Sequence, residues 1–183
     1  MLNNLKMVRM KNKGFTLIEL TLLIIVIAIL GATAIPRFIN IENDAKNASL
    51  VGLKGAIESA INISYGNMAI AGIEDQAALS YKESAAFYEG CVWCSFDYGY
   101  PVADTLTLKY LVNGIGIVED NDSFALVEWT KIWGGAVVLV TPTSNAKRLA
   151  NNYPVLIDDK CYVKYTSYDQ EPKKPLIEIV KCD

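Results

Sequence analysis

From Phe15 to Ile35 the chain is apolar at almost every position, and the one ionisable residue in that run is Glu19. As a helix, a run of this length rises about 30 Å, the thickness of one hydrocarbon core. It therefore demands either a bilayer or the interior of a helical bundle. A carboxylate at the centre of such a helix costs about 2.5–3.5 kcal/mol, and less near its end, where Glu19 stands. No Lys or Arg falls between Phe15 and Ile35, so the segment is expected to offer Glu19 no partner of its own. The partner is expected outside the chain, in another copy or another protein.

The residues before the run are basic. Lys6, Arg9, Lys11 and Lys13 precede it, and no acid occurs before Glu19. Positive residues beside a span favour the cytoplasmic side, which leaves the bulk of the chain facing out. A secretory signal has a shorter apolar region, about 7–15 residues, and a small-x-small cleavage site after it. Here a small residue, Gly14, lies before the run. Cleavage after Gly14 removes the four basic residues and leaves the apolar segment on the mature chain. What remains is acidic, which argues against nucleic-acid binding.

The chain has four cysteines, Cys91, Cys94, Cys161 and Cys182. In an oxidising compartment an even count reads as disulfides, and four cysteines allow three pairings. The favoured one joins Cys161 to Cys182, tying the last segment to an earlier strand, with Cys91–Cys94 as a local bridge. Cys91-Val92-Trp93-Cys94 also matches a redox motif or half a metal site. It lacks the βαβ surroundings of the first, and the second pair is too widely spaced for a four-cysteine zinc site. There is no histidine, which removes His-based triads and His metal sites. No nucleophile elbow or phosphate-binding glycine loop is present. No catalytic residue, metal site or cofactor is expected.

Beyond Ile35 the helix is expected to continue, loosened at Gly31 and kinked at Pro36. Phe38, Ile41, Ala45 and Ala48, then Leu50, Leu53, Ile57 and Ile61, read as its apolar stripe, and Tyr65-Gly66-Asn67 as its stop. The resulting helix has roughly 50 residues, apolar all round at first and striped afterwards. Residues 67–122 read as irregular, with helical pieces at Ala69–Ala71, ended by Gly72, and at Gln76–Ser84. A further short helix is capped by Asp104 and runs through Leu111. Strands are predicted at Phe124–Trp129, Ala136–Thr141, Cys161–Thr166 and Leu176–Lys181, with a hairpin at Trp133-Gly134-Gly135. The fold class is α+β, a long helix under an antiparallel sheet. The domains are 1–14 as a basic leader, 15–35 as a membrane-spanning helix, 36–66 as amphipathic helix and 67–183 as head, with its sheet in 123–183.

Lys13-Gly14-Phe15-Thr16-Leu17-Ile18-Glu19-Leu20 and the run behind it resemble the prepilin signature of type IV pilins and pseudopilins. The signature covers about 25 residues and is specific, because leader charge, glycine, phenylalanine, glutamate spacing and apolar length agree. The long helix, the sheet and the C-terminal cysteine pair fit the pilin fold. Within the family the chain is most similar to mannose-sensitive haemagglutinin pilin subunits. That likeness rests on Pro36-Arg37-Phe38, Gly52-x-Lys54-Gly55-Ala56, Tyr98-Gly99-Tyr100-Pro101 and Cys161-Tyr162-Val163-x-Tyr165-Thr166. The Cys91/Cys94 pair is not part of that group's pattern.

The resemblance implies a fimbrial subunit that polymerises through its N-terminal helix and serves cell attachment. Its partners are further copies, a prepilin peptidase and N-methyltransferase, the inner-membrane assembly machinery, and host or surface glycans. Gly14 is then the last leader residue and Phe15 the N-methylated new terminus. Glu19 pairs with the Phe15 amine of a neighbouring subunit, and Cys161–Cys182 closes the C-terminal loop. The subunit waits in the inner membrane, N-terminus cytoplasmic and head periplasmic, and ends in an extracellular fibre. Rival readings are a secretion pseudopilin, a minor pilin, a membrane-anchored CxxC redox protein and a tethered lectin. A lectin could use Trp93, Tyr98, Tyr100, Trp129 and Trp133, although such aromatics more often serve core or interface. Asn47, Asn62 and Asn121 begin glycosylation sequons, and Glu119, Asp120, Asp122, Asp158 and Asp159 are loop acids without EF-hand spacing.

Overall fold

The computed structural model describes residues 14–79, 91, 93–118, 122–150, 153–170 and 173–183. The chain divides into two compact units, one ending at Ile41 and the other, the head, running from Glu42 to Asp183. Helix α1 (Leu17–Ala71) begins in the first and ends in the second.

In the N-terminal unit, Leu17–Ala34 is long and apolar enough to cross a membrane, and none of it is buried. Apolar side chains on every face are exposed, among them Leu17, Ile18, Leu22, Ile25 and Ile29. The two threonine hydroxyls in this stretch are satisfied internally: Thr21 donates to the Ile18 carbonyl and Thr33 to the Leu30 carbonyl. A helix in lipid needs that internal satisfaction, because no water is available to replace it.

In the head, the buried stripe of α1 is Leu50, Leu53, Ile57, Ile61, Ser64 and Met68. Ile41, Ala45 and Ala48, expected on the same stripe, are exposed, and the side chain of Phe38 lies outside the described ones. Helix geometry gives the reason. Ala48 and Leu50 are two residues apart, about 200° around the axis, so the two sets face opposite ways.

The helix also passes its expected stop at Tyr65-Gly66-Asn67 and ends at Ala71. Met68, one turn past Tyr65, is fully buried with Leu79, Cys91, Cys94 and Phe96, and that packing carries the helix onward. The end is a Schellman motif. Gly72 has φ +69°, its N–H donates to Ala69, and the Ile73 N–H donates to Met68. Ala69–Ala71 is thus the last turn of α1 and no separate piece. Gln76–Leu79 is not helical either. The Ala78 N–H donates to Asp97 Oδ1, and Leu79 bridges to Phe96, which draws the chain into an extended pairing. The rest of the expected Gln76–Ser84 helix lies outside the described residues.

The strands are β1 (Phe96–Asp97), β2 (Tyr100–Pro101), β3 (Ile115–Gly116), β4 (Phe124–Ile132), β5 (Gly135–Pro142), β6 (Ala146–Arg148), β7 (Pro154–Leu156), β8 (Tyr162–Tyr168) and β9 (Leu176–Val180). A second helix, α2 (Thr105–Leu111), lies between β2 and β3. The main sheet has five strands in the order β3-β4-β5-β8-β9. Only the short edge strand β3 runs parallel to its neighbour, and the four predicted strands pair antiparallel. At the β4–β5 turn a Cβ on Gly135 would lie 2.0 Å from the Ser167 carbonyl, so only glycine lets β5 meet β8 there.

One face of the sheet packs Leu126, Val138, Val140, Val163 and Tyr165 against the α1 stripe. The other buries Ala125, Val127 and Leu139 with Ala146, and Leu156 of the β6–β7 hairpin packs against them. Burial on both faces explains why β5 reads Ala-Val-Val-Leu-Val instead of alternating.

Candidate functional site

The N-terminus of α1 is built around Glu19. The Thr16 backbone N–H donates to Glu19 Oε2 at 2.9 Å, the Thr16 hydroxyl donates to the same oxygen at 2.8 Å, and the Glu19 N–H donates to Thr16 Oγ1 at 3.3 Å. This is a capping box, in which two orphan helix-end groups satisfy one another. Glu19 therefore does have a partner in its own segment, an uncharged one, contrary to the expectation from the missing Lys and Arg. The Thr16-x-x-Glu19 spacing was the signal. Both Thr16 bonds fall on Oε2, and Oε1 accepts none among the described residues.

At the far end of the chain, Cys161 and Cys182 are bonded, with a sequence separation of 21. Sequence reasoning missed what holds this loop to the helix. Asn47 of α1 donates through Nδ2 to the Cys182 carbonyl at 3.2 Å, and its Oδ1 accepts the Cys182 N–H at 2.8 Å. The side-chain amide thus mimics a strand partner for one residue of the C-terminal segment. In the sequence Asn47 stands out only as the start of a sequon, and nothing local marks it for this role. Lys160 and the Asp183 side chain form an ion pair beside the bridge, which holds the Lys160 ammonium above its ordinary range. From β5, outside the loop, the Thr141 hydroxyl donates to the Cys161 carbonyl at 2.8 Å.

Cys91 and Cys94 are bonded to each other, and both are buried among Met68, Leu79 and Phe96. Buried sulfurs give an exchanging thiolate no approach. The neighbouring segment is fastened at several points. Asp104 caps α2, accepting the Leu106 and Thr107 N–H groups at 2.8 and 2.6 Å, and also accepts from the Ser95 hydroxyl. Two short motifs distant in sequence meet where the buried Tyr165 hydroxyl donates to the Pro101 carbonyl at 2.5 Å. Burial keeps that phenol well above its ordinary range, so it remains a donor. The Ser64 hydroxyl donates to the Gly99 carbonyl, and Tyr65 stacks on Tyr100 with ring centroids 4.9 Å apart.

The aromatic residues proposed for a lectin therefore divide. Tyr100 is taken up by Tyr65, and Tyr98 lies under the Lys173 ammonium, 4.5 Å from its ring centre. Trp93 and Trp133 are exposed. The side chain of Trp129 lies outside the described ones. Among the described residues no group of three or more His, Cys, Asp or Glu side chains gathers as a metal site. Asn121, Glu119 and Asp120 lie outside the described residues, and Asp158 and Asp159 are exposed.

No family model matches the chain, and no solved structure matches it. Over 105 residues it is 34 % identical to the type IV narrow pilus major component PilA5 of Thermus thermophilus, an alignment covering 55 % of this chain and 89 % of that protein. In this chain an exposed apolar N-terminal helix is followed by an antiparallel sheet, an α+β arrangement consistent with the pilin fold. With that identity over nearly the whole relative, the chain belongs to the type IV pilin family and is a structural subunit of a pilus, not an enzyme.

Proposed function

We propose that this subunit is cut after Gly14 by a prepilin peptidase, N-methylated at Phe15, and assembled through a charge pair between Glu19 and the Phe15 amine of a neighbouring copy. The observation that carries the reading is the geometry of the Glu19 carboxylate. Thr16 occupies only Oε2, which leaves Oε1 for an ammonium arriving from outside the helix. Cleavage makes that ammonium, with an unperturbed pKa near 8. In a filament core of low dielectric an unpaired charge is costly and a matched pair is tolerated, so a subunit with the wrong stagger is penalised. Apolar contact between the exposed faces of Leu17–Ala34 supplies the bulk attraction.

The finer reading is a fibre of the mannose-sensitive haemagglutinin type that attaches cells to surfaces or glycans. It draws on the Tyr98–Pro101 and Cys161–Thr166 motifs, joined by the Tyr165 hydroxyl. Before assembly the basic leader stays in the cytoplasm and the head in the periplasm, and the membrane machinery then moves the subunit into the fibre. Gly31 and Pro36 serve as the place where the helix bends or loosens during that transfer. The division into leader, core helix, amphipathic helix and head follows the same logic.

Mass spectrometry of the mature N-terminus is the decisive experiment. N-methylated Phe15 is expected. An uncut Met1, or a terminus beyond Ile35, refutes the proposal. Electron microscopy of cells lacking the chain separates a pilin, whose loss removes surface fibres, from a secretion pseudopilin, whose loss leaves them.

A further inference from the structure

Three residues, Val112, Asn113 and Gly114, join α2 to the edge strand β3. Val112 closes the helix by donating its N–H to the Leu108 carbonyl at 3.0 Å. Val112 and Ile115 are sunk in the core, 4 % and 2 % exposed. Asn113 and Gly114 between them form an exposed turn. The corner is therefore fixed at both ends while its central peptide stands in water.

This is the one place in the chain where glycine follows asparagine. The pairing matters because an asparagine side chain can react with the backbone beside it. The nitrogen of the next residue attacks the side-chain carbonyl carbon and closes a five-membered ring, an intramolecular step favoured by proximity. A side chain on the attacking residue crowds that approach. Gly114 has none, and the space where a Cβ would stand is open for 4 Å. The attacking nitrogen must also be unengaged. Among the described residues the Gly114 N–H donates to no acceptor, and its carbonyl takes the Phe124 N–H at 3.1 Å. The Asn113 amide makes no hydrogen bond among the described residues either.

Other asparagines lack this combination, and each precedes a residue with a side chain. Asn47 and Asn62 stand within α1, where the following N–H belongs to the helix ladder. The Asn47 amide is also held at both ends by Cys182, and the Asn145 amide accepts the Asp158 N–H and donates to the Lys160 carbonyl.

We propose that Asn113 is a site of spontaneous covalent modification with water as the co-reactant. The Gly114 nitrogen gives its proton to solvent and bonds to Asn113 Cγ. The Cγ–Nδ2 bond breaks, and Nδ2 leaves as ammonia. Water then opens the cyclic imide. Attack at Cγ yields aspartate, and attack at the backbone carbonyl yields isoaspartate, in which the chain runs through the former side chain. The net change is amide plus water to acid plus ammonia, with nothing oxidised or reduced.

Both products add a negative charge, and isoaspartate also adds one carbon to the backbone. That extra length falls between two buried anchors. It cannot be absorbed without shifting Ile115 and Gly116, which pair with Phe124 and Ala125. Strand β3 is short and lies at the sheet edge, so it yields before β4 or β5. The modification thus loosens one edge of the head and leaves the α1 stripe packed, and older subunits come to differ from new ones there.

The test is ageing of the full-length chain, folded in detergent at mildly alkaline pH, followed by peptide mass spectrometry with isoaspartate-specific fragmentation. Asn113 is expected to convert ahead of Asn62 and Asn47, faster as pH rises, to a mixture containing isoaspartate. Asn113→Gln, which must close a six-membered ring, is expected to convert about tenfold or more slowly. In the isoaspartate fraction, hydrogen exchange at the Phe124 amide is expected to quicken about tenfold or more, because its bond to Gly114 is strained. Freshly made Asn113→Asp, which adds the charge alone, is expected to keep the wild-type exchange. Conversion of Asn113 no faster than that of Asn62 overturns the site. Acid at Asn113 without isoaspartate overturns the cyclic route, and isoaspartate with unchanged exchange at Phe124 overturns the loosening of β3.

Discussion

Replacing Asn47 by alanine is expected to loosen the C-terminal segment from the helix. The wild-type amide makes two hydrogen bonds to one buried residue, Cys182, across a sequence separation of 135. Each is worth about 0.5–1.5 kcal/mol net, and stranding the Cys182 N–H and carbonyl adds their desolvation penalty. Water reaching the partly buried site recovers some of that. The sum is about 2–3 kcal/mol, well above a surface substitution. In a chain of this length that lowers Tm by about 4–12 °C. The assay is denaturation of the full-length chain in detergent, with Ser49→Ala as control, since the Ser49 hydroxyl only bonds the Lys46 carbonyl one turn back. Asn47→Asp keeps the acceptor for the Cys182 N–H but puts a carboxylate against the Cys182 carbonyl, so it is expected to fall between wild type and alanine or below both. The Asn47 clamp and the Cys161–Cys182 bridge hold the same residue, so their losses are expected to be non-additive. A loss under about 0.5 kcal/mol for Asn47→Ala, within the range of neutral surface changes, refutes the clamp. A glycan found on Asn47 does the same, because the amide nitrogen cannot carry a sugar and keep this geometry.

Three further outcomes follow from the structure. Cys161→Ser with Cys182→Ser opens a loop closed over 21 residues and is expected to cost about 3 kcal/mol, measured by the same denaturation; a change under ~1 kcal/mol argues that other contacts hold the loop. Asp97 is held above its ordinary 3.8, chiefly by burial and further by the Asp169 charge, while the Ala78 N–H and Lys131 pull it down. A raised folded value means its contribution is complete below 3.8 and is lost as pH rises through that raised value, so Asp97→Asn is expected to be the more stable protein at neutral pH, with the gap closing in acid; parallel stability curves reject this. Glu19→Ala is expected to insert in the membrane and fail to grow fibres, whereas Thr16→Val, which removes one bond to Oε2 and keeps the backbone one, is expected to assemble poorly but measurably; normal piliation of Glu19→Ala sinks the register argument.

What could be read directly from the chain is local. The apolar length from Phe15 to Ile35, the cap at Asp104 and the glycine corner after Trp133 depend on residues within one turn or one hairpin, and sequence neighbours suffice for them. The Thr16-x-x-Glu19 box is equally local, its two side chains lying within one turn. Errors arose where a contact spans the fold. Gly66 looks like a helix stop until Met68 is seen in its cluster. The Ala45 face looks like core until the sheet packs on Leu50, Leu53 and Ile57 instead.

Sequence alone therefore determined that this chain carries a membrane-length apolar helix with one acid in it, that antiparallel strands follow, and that it resembles proteins that polymerise. Tertiary structure alone decided that Asn47 is a clamp, that the second face of the sheet lies under the β6–β7 hairpin, and that Cys91 and Cys94 are buried while Trp93 between them is exposed. The division has a physical cause. Propensity, capping and turn chemistry act over a few residues, whereas burial is granted by whichever distant segments the closed chain brings alongside.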